Sequence, residues 1–180
     1  MSTDQHLRYP IGEFLVPDNI TAEHIANWIS EIATFPQRLK DMLVSITSEQ
    51  QGWKYRTGSW TITQLVHHCA DSHLNSLMRF KLAITEDRPK IKPYDEVAWA
   101  ELADDLETDL GYALLLLEGL HHKWVVLLNS LAPKDLERTF AHPEHGTIFT
   151  LKETIGSYAW HCNHHLAHIK LALDSQGRYS

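Results

Sequence analysis

Apolar positions recur along most of this chain at alternating spacings of three and four, the period of a helix with one buried face. In the first long stretch the stripe is Ile25, Ile29, Ile32, Leu39, Leu43 and Ile46, preceded by Thr21, whose hydroxyl suits a helix N-cap. The pattern predicts a helix from about Ala22 to Ile46. Pro36 lies inside it as a kink or a break, because proline removes a backbone donor and crowds the preceding turn. A loop around Gly52–Gly58 follows. Thr61-Ile-Thr-Gln64 then matches a capping box, in which hydroxyl and amide each satisfy a backbone N–H, and opens a second helix to about Thr85.

Pro89 and Pro93 mark the next connection, with a short helix expected after Asp95 and ending near Ala103. A third long helix fits Thr108 to Leu131, closed by Pro133. Residues 134–149 read as a turn and a loop, with Thr147–Phe149 as a short extended piece. Thr150-Leu-Lys-Glu153 repeats the capping box and opens a fourth helix to about Asp174, with Gly177 just beyond its end. Residues 1–19, punctuated by Pro10, Gly12 and Pro17, read as extended.

Four long helices with short connections predict an all-α fold, a four-helix bundle. With 180 residues, no internal repeat and no linker composition, residues 1–180 read as one domain. A formal charge of −7 argues against a nucleic-acid binder, which needs a basic face. The first ten residues lack the apolar segment of a secretory signal. The longest apolar runs, Ala113–Leu117 and Trp124–Leu128, fall far short of the ~20 residues needed to cross a bilayer. Two cysteines cannot build a disulfide framework, so a cytoplasmic protein is expected, with no membrane partner.

Histidine changes the picture. Seven of the 13 lie in two windows, 67–73 on the second helix and 161–168 on the fourth. His161 and His165 are one turn apart, as are His164 and His168, and that spacing lets two imidazoles share one ion. At about 100° per residue the core stripe of the fourth helix is Ile155, Cys162, Leu166, Ile169 and Leu173. His161 and His165 flank it, whereas His164 and His168 point further away, toward the rim, solvent or an interface. On the second helix His73 lies at the centre of the core face and His68 flanks it, so angle alone leaves the third ligand open. Cys69 and Cys162 read as buried apolar thiols and the His121-His122 doublet as exposed side chains. Trp60 and Trp160 are expected to line a pocket.

Several segments together carry a resemblance. They are Tyr9-Pro-Ile-Gly-Glu13, the run from Trp60 through His73, Asn75, Arg79-Phe-Lys81, Pro93-Tyr-Asp-Glu96, Trp99, His142-Pro143, and Trp160-His161 through His168-Ile169. On these the chain resembles the DinB/YfiT-like family of bacterial four-helix metalloproteins, and most its YfiT branch. The resemblance implies an up-and-down-type bundle with a three-histidine site for a divalent metal, Zn or Ni. The helix-two ligand, eight residues after the tryptophan, maps to His68, and the H-x3-H pair maps to His161 and His165. His73 then becomes a buried pocket neighbour, although the adjacent doublets leave a slip of one residue open. The resemblance also implies a homodimer and a small-molecule substrate. Related proteins are classed as metal-dependent hydrolases or as S-transferases using low-molecular-weight thiols such as bacillithiol.

Three neutral ligands leave an ion its full charge and an open position, where it acidifies a water or a thiol. Hydrolysis also wants a general base. Asp71 points away from the core, and no carboxylate lies on the core side of either histidine window, which favours thiol transfer. A carboxylate from another helix, Glu118 for example, is the other source of a base. The alternative is a non-catalytic, metal-binding, dimeric helical module.

Overall fold

The computed structural model describes residues 3–144 and 146–180. Four long helices dominate: α2 (Ala22–Leu43), α4 (Ile62–Thr85), α6 (Gly111–Asn129) and α8 (Leu151–Asp174). Short elements fill the connections: α1 (Thr3–Arg8), α3 (Ser48–Gln51), α5 (Glu96–Trp99), α7 (Pro133–Leu136), β1 (Thr139–His142) and β2 (Thr147–Thr150).

Local chemistry sets most of the boundaries. The hydroxyls of Thr21, Thr61 and Thr150 accept from the backbone N–H three residues on, and His24, Gln64 and Glu153 accept in return from the capping residues' own N–H. Helix α6 has no such hydroxyl. It starts at Gly111 rather than Thr108, because residues 108–110 form a turn in which Asp109 Oδ1 accepts from Gly111 N at 3.0 Å. Helix α2 ends at Leu43, short of Ile46, and runs through Pro36 without interruption. The short helix after Asp95 ends at Trp99, before Ala103.

Two regions depart from the expected pattern. Residues 3–8 form a helix where an extended segment was expected. Residues 139–142 pair antiparallel with 147–150, with Phe140 opposite Phe149 and His142 opposite Thr147. Only the second of these strands stands out in the sequence. The first is held from both sides, since Ala141 also bonds Pro89 and Ile91 of the preceding connection.

Helix α2 packs against α6 and α8, and α4 packs against the same two. The first and second long helices therefore stand at opposite corners of the bundle. Residues 44–61, with α3 among them, are long enough to cross from one corner to the other. One contiguous apolar cluster fills the centre, including Phe35 and Leu39 from α2, Leu65 and Phe80 from α4, Leu117 and Trp124 from α6, and Ile155 and Ile169 from α8. Among the described residues no helix is long and apolar enough to cross a membrane.

Candidate metal centre

The pairing of α4 with α8 brings the two histidine windows together. His68 Nε2 lies 3.3 Å from His161 Nε2, and His165 Nε2 lies 3.1 Å from the same atom. The ligand atoms of His68, His161 and His165 all fall within 4.8 Å of one another, and no other trio of His, Cys, Asp or Glu among the described residues does so. Two nitrogens each about 2.0–2.1 Å from a tetrahedral ion stand roughly 3.3 Å apart, so the observed separations suit a shared ion. Without a cation between them, converging imidazole lone pairs repel.

Burial keeps these rings neutral, as ligands must be. His68 is pushed down to about 4, first by burial and then by the neighbouring His164. His161 and His165 lie well below the usual histidine value, again first by burial and then by surrounding imidazoles. Trp60 packs against the His68 ring with centroids 4.6 Å apart, which holds the one ligand supplied by α4.

The remaining histidines of the two windows are placed differently from one another. His73 is fully buried, its Nε2 lying 3.0 Å from His161 Nδ1. His164 and His168 are buried as well, not at a rim. Helical angle places them away from the bundle core, but a second layer covers them. Tyr55 stacks on His168 at 3.8 Å and Trp160 on His164 at 4.3 Å. The N-terminal segment lies over the same face, its Arg8 carbonyl accepting from His168 Nε2 at 3.1 Å and its Gly12 carbonyl from Trp160 Nε1 at 3.0 Å.

His121 is also buried, contrary to its expected exposure, whereas His122 is exposed. Its Nε2 lies 2.8 Å from His73 Nδ1 and its Nδ1 lies 2.7 Å from the Ile32 carbonyl. Helix α6 is apolar around most of its circumference, so its pattern gave no clear inner face from which to place the doublet.

A cavity of about 940 Å³ opens over the three-histidine cluster. Its wall includes Arg8, Tyr55, Arg56, Arg79, Tyr94, Phe140, His142, Tyr158 and Trp160, so the N-terminal segment and the β-hairpin both contribute to the mouth. Asp95, Glu96 and Glu144 line the same cavity. Asp71 is not on the wall. Burial and the neighbouring Asp104 raise its carboxyl above the ordinary range. Cys69 and Cys162 are buried, and burial pushes both thiols up, so neither is a ready thiolate.

Comparison with known proteins gives the same picture from outside the structure. The chain is 51% identical over 162 residues to a candidate metal-dependent hydrolase of Oceanobacillus iheyensis, covering 90% of this chain and 93% of that one. It is 44% identical over 167 residues to YfiT of Bacillus subtilis, which carries the same description, covering 93% and 94%. The solved structure of YfiT, described as having an unusual four-helix bundle topology, superposes with a TM-score of 0.92 at 43% identity over 96% of this chain and 98% of that one. Residues 31–169 match the DinB superfamily. With a four-helix bundle, a three-histidine cluster between α4 and α8 and relatives of this closeness, the chain belongs to the DinB superfamily, in its YfiT-type branch.

Proposed function

We propose that this chain is a metal-dependent hydrolase of a small-molecule substrate, with His68, His161 and His165 as the ligands of one divalent ion, zinc or nickel. The observation that carries the reading is the convergence of three neutral imidazoles at the floor of a large cavity. The relatives' names point the same way. A divalent ion held by three neutral ligands supplies a Lewis acid that acidifies a water or a thiol.

The chain's own residues do the rest. Trp60 and Tyr158 pack on His68 and His161 and hold those rings in place. Arg79 lines the cavity and puts a positive charge in its wall, which suits an anionic or carbonyl oxygen of a substrate. Burial keeps the Tyr94 phenol protonated, which makes it a donor. Asp95, Glu96 and Glu144, on the same wall, are the carboxylates from which a proton acceptor would come.

A second reading, S-transfer from a low-molecular-weight thiol such as bacillithiol, is favoured by one feature. No carboxylate belongs to the tight cluster itself, and a thiolate nucleophile needs none. The cytoplasm and a homodimer complete the proposal.

The test is metal content of the purified chain beside His68→Ala, His161→Ala and His165→Ala, followed by assay of metal-loaded protein. The assay compares an ester and amide panel with electrophiles offered together with a small thiol. Stoichiometric metal in the wild type and its loss in each variant is expected, with turnover in the hydrolytic panel. Turnover only with thiol favours the second reading. Metal without any turnover leaves a non-catalytic binding module, and metal retained in His161→Ala and His165→Ala overturns the site. Light scattering reads the oligomeric state.

A further inference from the structure

Two chains of buried histidines lead away from the cluster, and each ends on a backbone carbonyl. In the first, His161 Nδ1 lies 3.0 Å from His73 Nε2, His73 Nδ1 lies 2.8 Å from His121 Nε2, and His121 Nδ1 lies 2.7 Å from the Ile32 carbonyl. In the second, His165 Nδ1 lies 3.4 Å from His168 Nδ1, and His168 Nε2 lies 3.1 Å from the Arg8 carbonyl.

A carbonyl can only accept, and a neutral imidazole has one donor and one acceptor nitrogen. The direction of every bond follows. His121 must donate through Nδ1 to Ile32, so its Nε2 accepts from His73 Nδ1–H. His73 Nε2 then accepts from His161 Nδ1–H, which leaves His161 Nε2 bare and facing the cluster. By the same steps His168 donates through Nε2, accepts at Nδ1 from His165 Nδ1–H, and leaves His165 Nε2 bare.

The Ile32 carbonyl is free to anchor the first chain for a reason written in the sequence. Its helical donor would be the N–H of residue 36, and residue 36 is proline. The residue that interrupts the ladder of α2 therefore supplies the acceptor that the histidine chain needs.

We propose that His73, His121 and His168 are positioning residues that hold His161 and His165 as Nδ1–H tautomers, with Pro36 exposing the carbonyl that anchors the longer chain. The proposal rests on the reading of His161 and His165 as metal ligands, and orientation of a ligating imidazole through its second nitrogen is a general source of metal affinity. Because both chains end on carbonyls, they orient rings and offer a proton no exit.

The experiment has two arms on the full chain. Long-range 1H–15N spectra of metal-free protein read the tautomers directly. Nδ1–H is expected for His73, His121, His161 and His165, with Nε2–H for His168. An Nε2–H form of His161 or His73 overturns the proposal. The second arm measures zinc affinity by chelator competition in His73→Leu and His73→Gln. The glutamine amide carries a donor and an acceptor spaced like the ring nitrogens. His73→Leu is expected to weaken zinc by about 10–100-fold, and His73→Gln to recover most of it. Equal losses in the two variants, or none in His73→Leu, overturn the proposal. Undiminished zinc binding by His161→Ala would refute the ligand reading instead, and the spectra would still decide the tautomers.

Discussion

His121 Nδ1 lies 2.7 Å from the carbonyl oxygen of Ile32, an acceptor that Pro36 withdraws from the backbone ladder of α2. A proline inside a helix ordinarily costs about 3 kcal/mol, part of it for the acceptor left without a donor. Here a buried imidazole fills that position. Pro36→Ala should therefore raise stability by well under ~3 kcal/mol, read from the urea midpoint. A gain of the full amount would mean that the carbonyl had been idle.

Acid should destabilise the metal-free protein before most carboxylates titrate. His68, His121 and His164 are each held down to about 4, chiefly by burial, against 6.5 for a free histidine. Their contribution is fully present above pH 6.5. As pH falls from 6.5 to about 4 the unfolded chain takes up protons that the folded chain refuses, and each histidine removes roughly 1.4 kcal/mol of stability per pH unit. Asp105, held up to about 7 by burial and Asp71, acts in the opposite sense, its stabilisation fading as pH rises from about 4 to 7. Asp71, raised by burial and Asp104, acts in the same sense as Asp105. Two such carboxyls do not offset seven lowered histidines, so the urea midpoint should fall between pH 6.5 and 4. A flat profile would contradict the neutral, buried cluster.

Metal should stabilise the fold by mass action. An ion that binds only the folded chain adds about 4 kcal/mol at a thousandfold excess over Kd. Thermal unfolding with zinc or nickel should shift upward, return on chelation, and show no metal response in His165→Ala. An unchanged midpoint with metal in the wild type would count against the centre.

Gly156 marks the seat of the N-terminal segment. A Cβ there would lie 2.8 Å from Phe14 Cζ and 2.9 Å from Trp28 Cη2. Gly156→Ala should cost about 1–3 kcal/mol by overpacking, and limited proteolysis should then cut within residues 9–20. Unchanged stability and protection would show that this contact can relax freely.

The two cysteines should be silent. Cys69 and Cys162 are fully buried beside ligand positions, with thiols pushed up by burial. A thiol reagent should label neither in the native protein and both in denaturant, and Cys162→Ala should keep its metal. Loss of metal in that variant would make the thiol part of the site.

The helices were legible wherever an apolar stripe met a capping pair. Thr61 with Gln64 and Thr150 with Glu153 are such places, because both signals are local and independent. The start of α6 was not, since an aspartate turn replaces the hydroxyl cap. The first hairpin strand was not, since its pairing with residues 89–91 lies far away in sequence.

The sequence alone determined that four helices form, where three of them begin, and that His161 and His165 stand one turn apart, because helical period and capping act within a few residues. Tertiary structure decided which corner each helix occupies and which further rings are buried. His164 and His168 are covered by Trp160, Tyr55 and a segment some 160 residues away. His121 is drawn inward by His73 and a carbonyl on α2. No window of sequence contains such relations, because burial is decided by whatever finally packs on a side chain, while periodicity reports only its own helix.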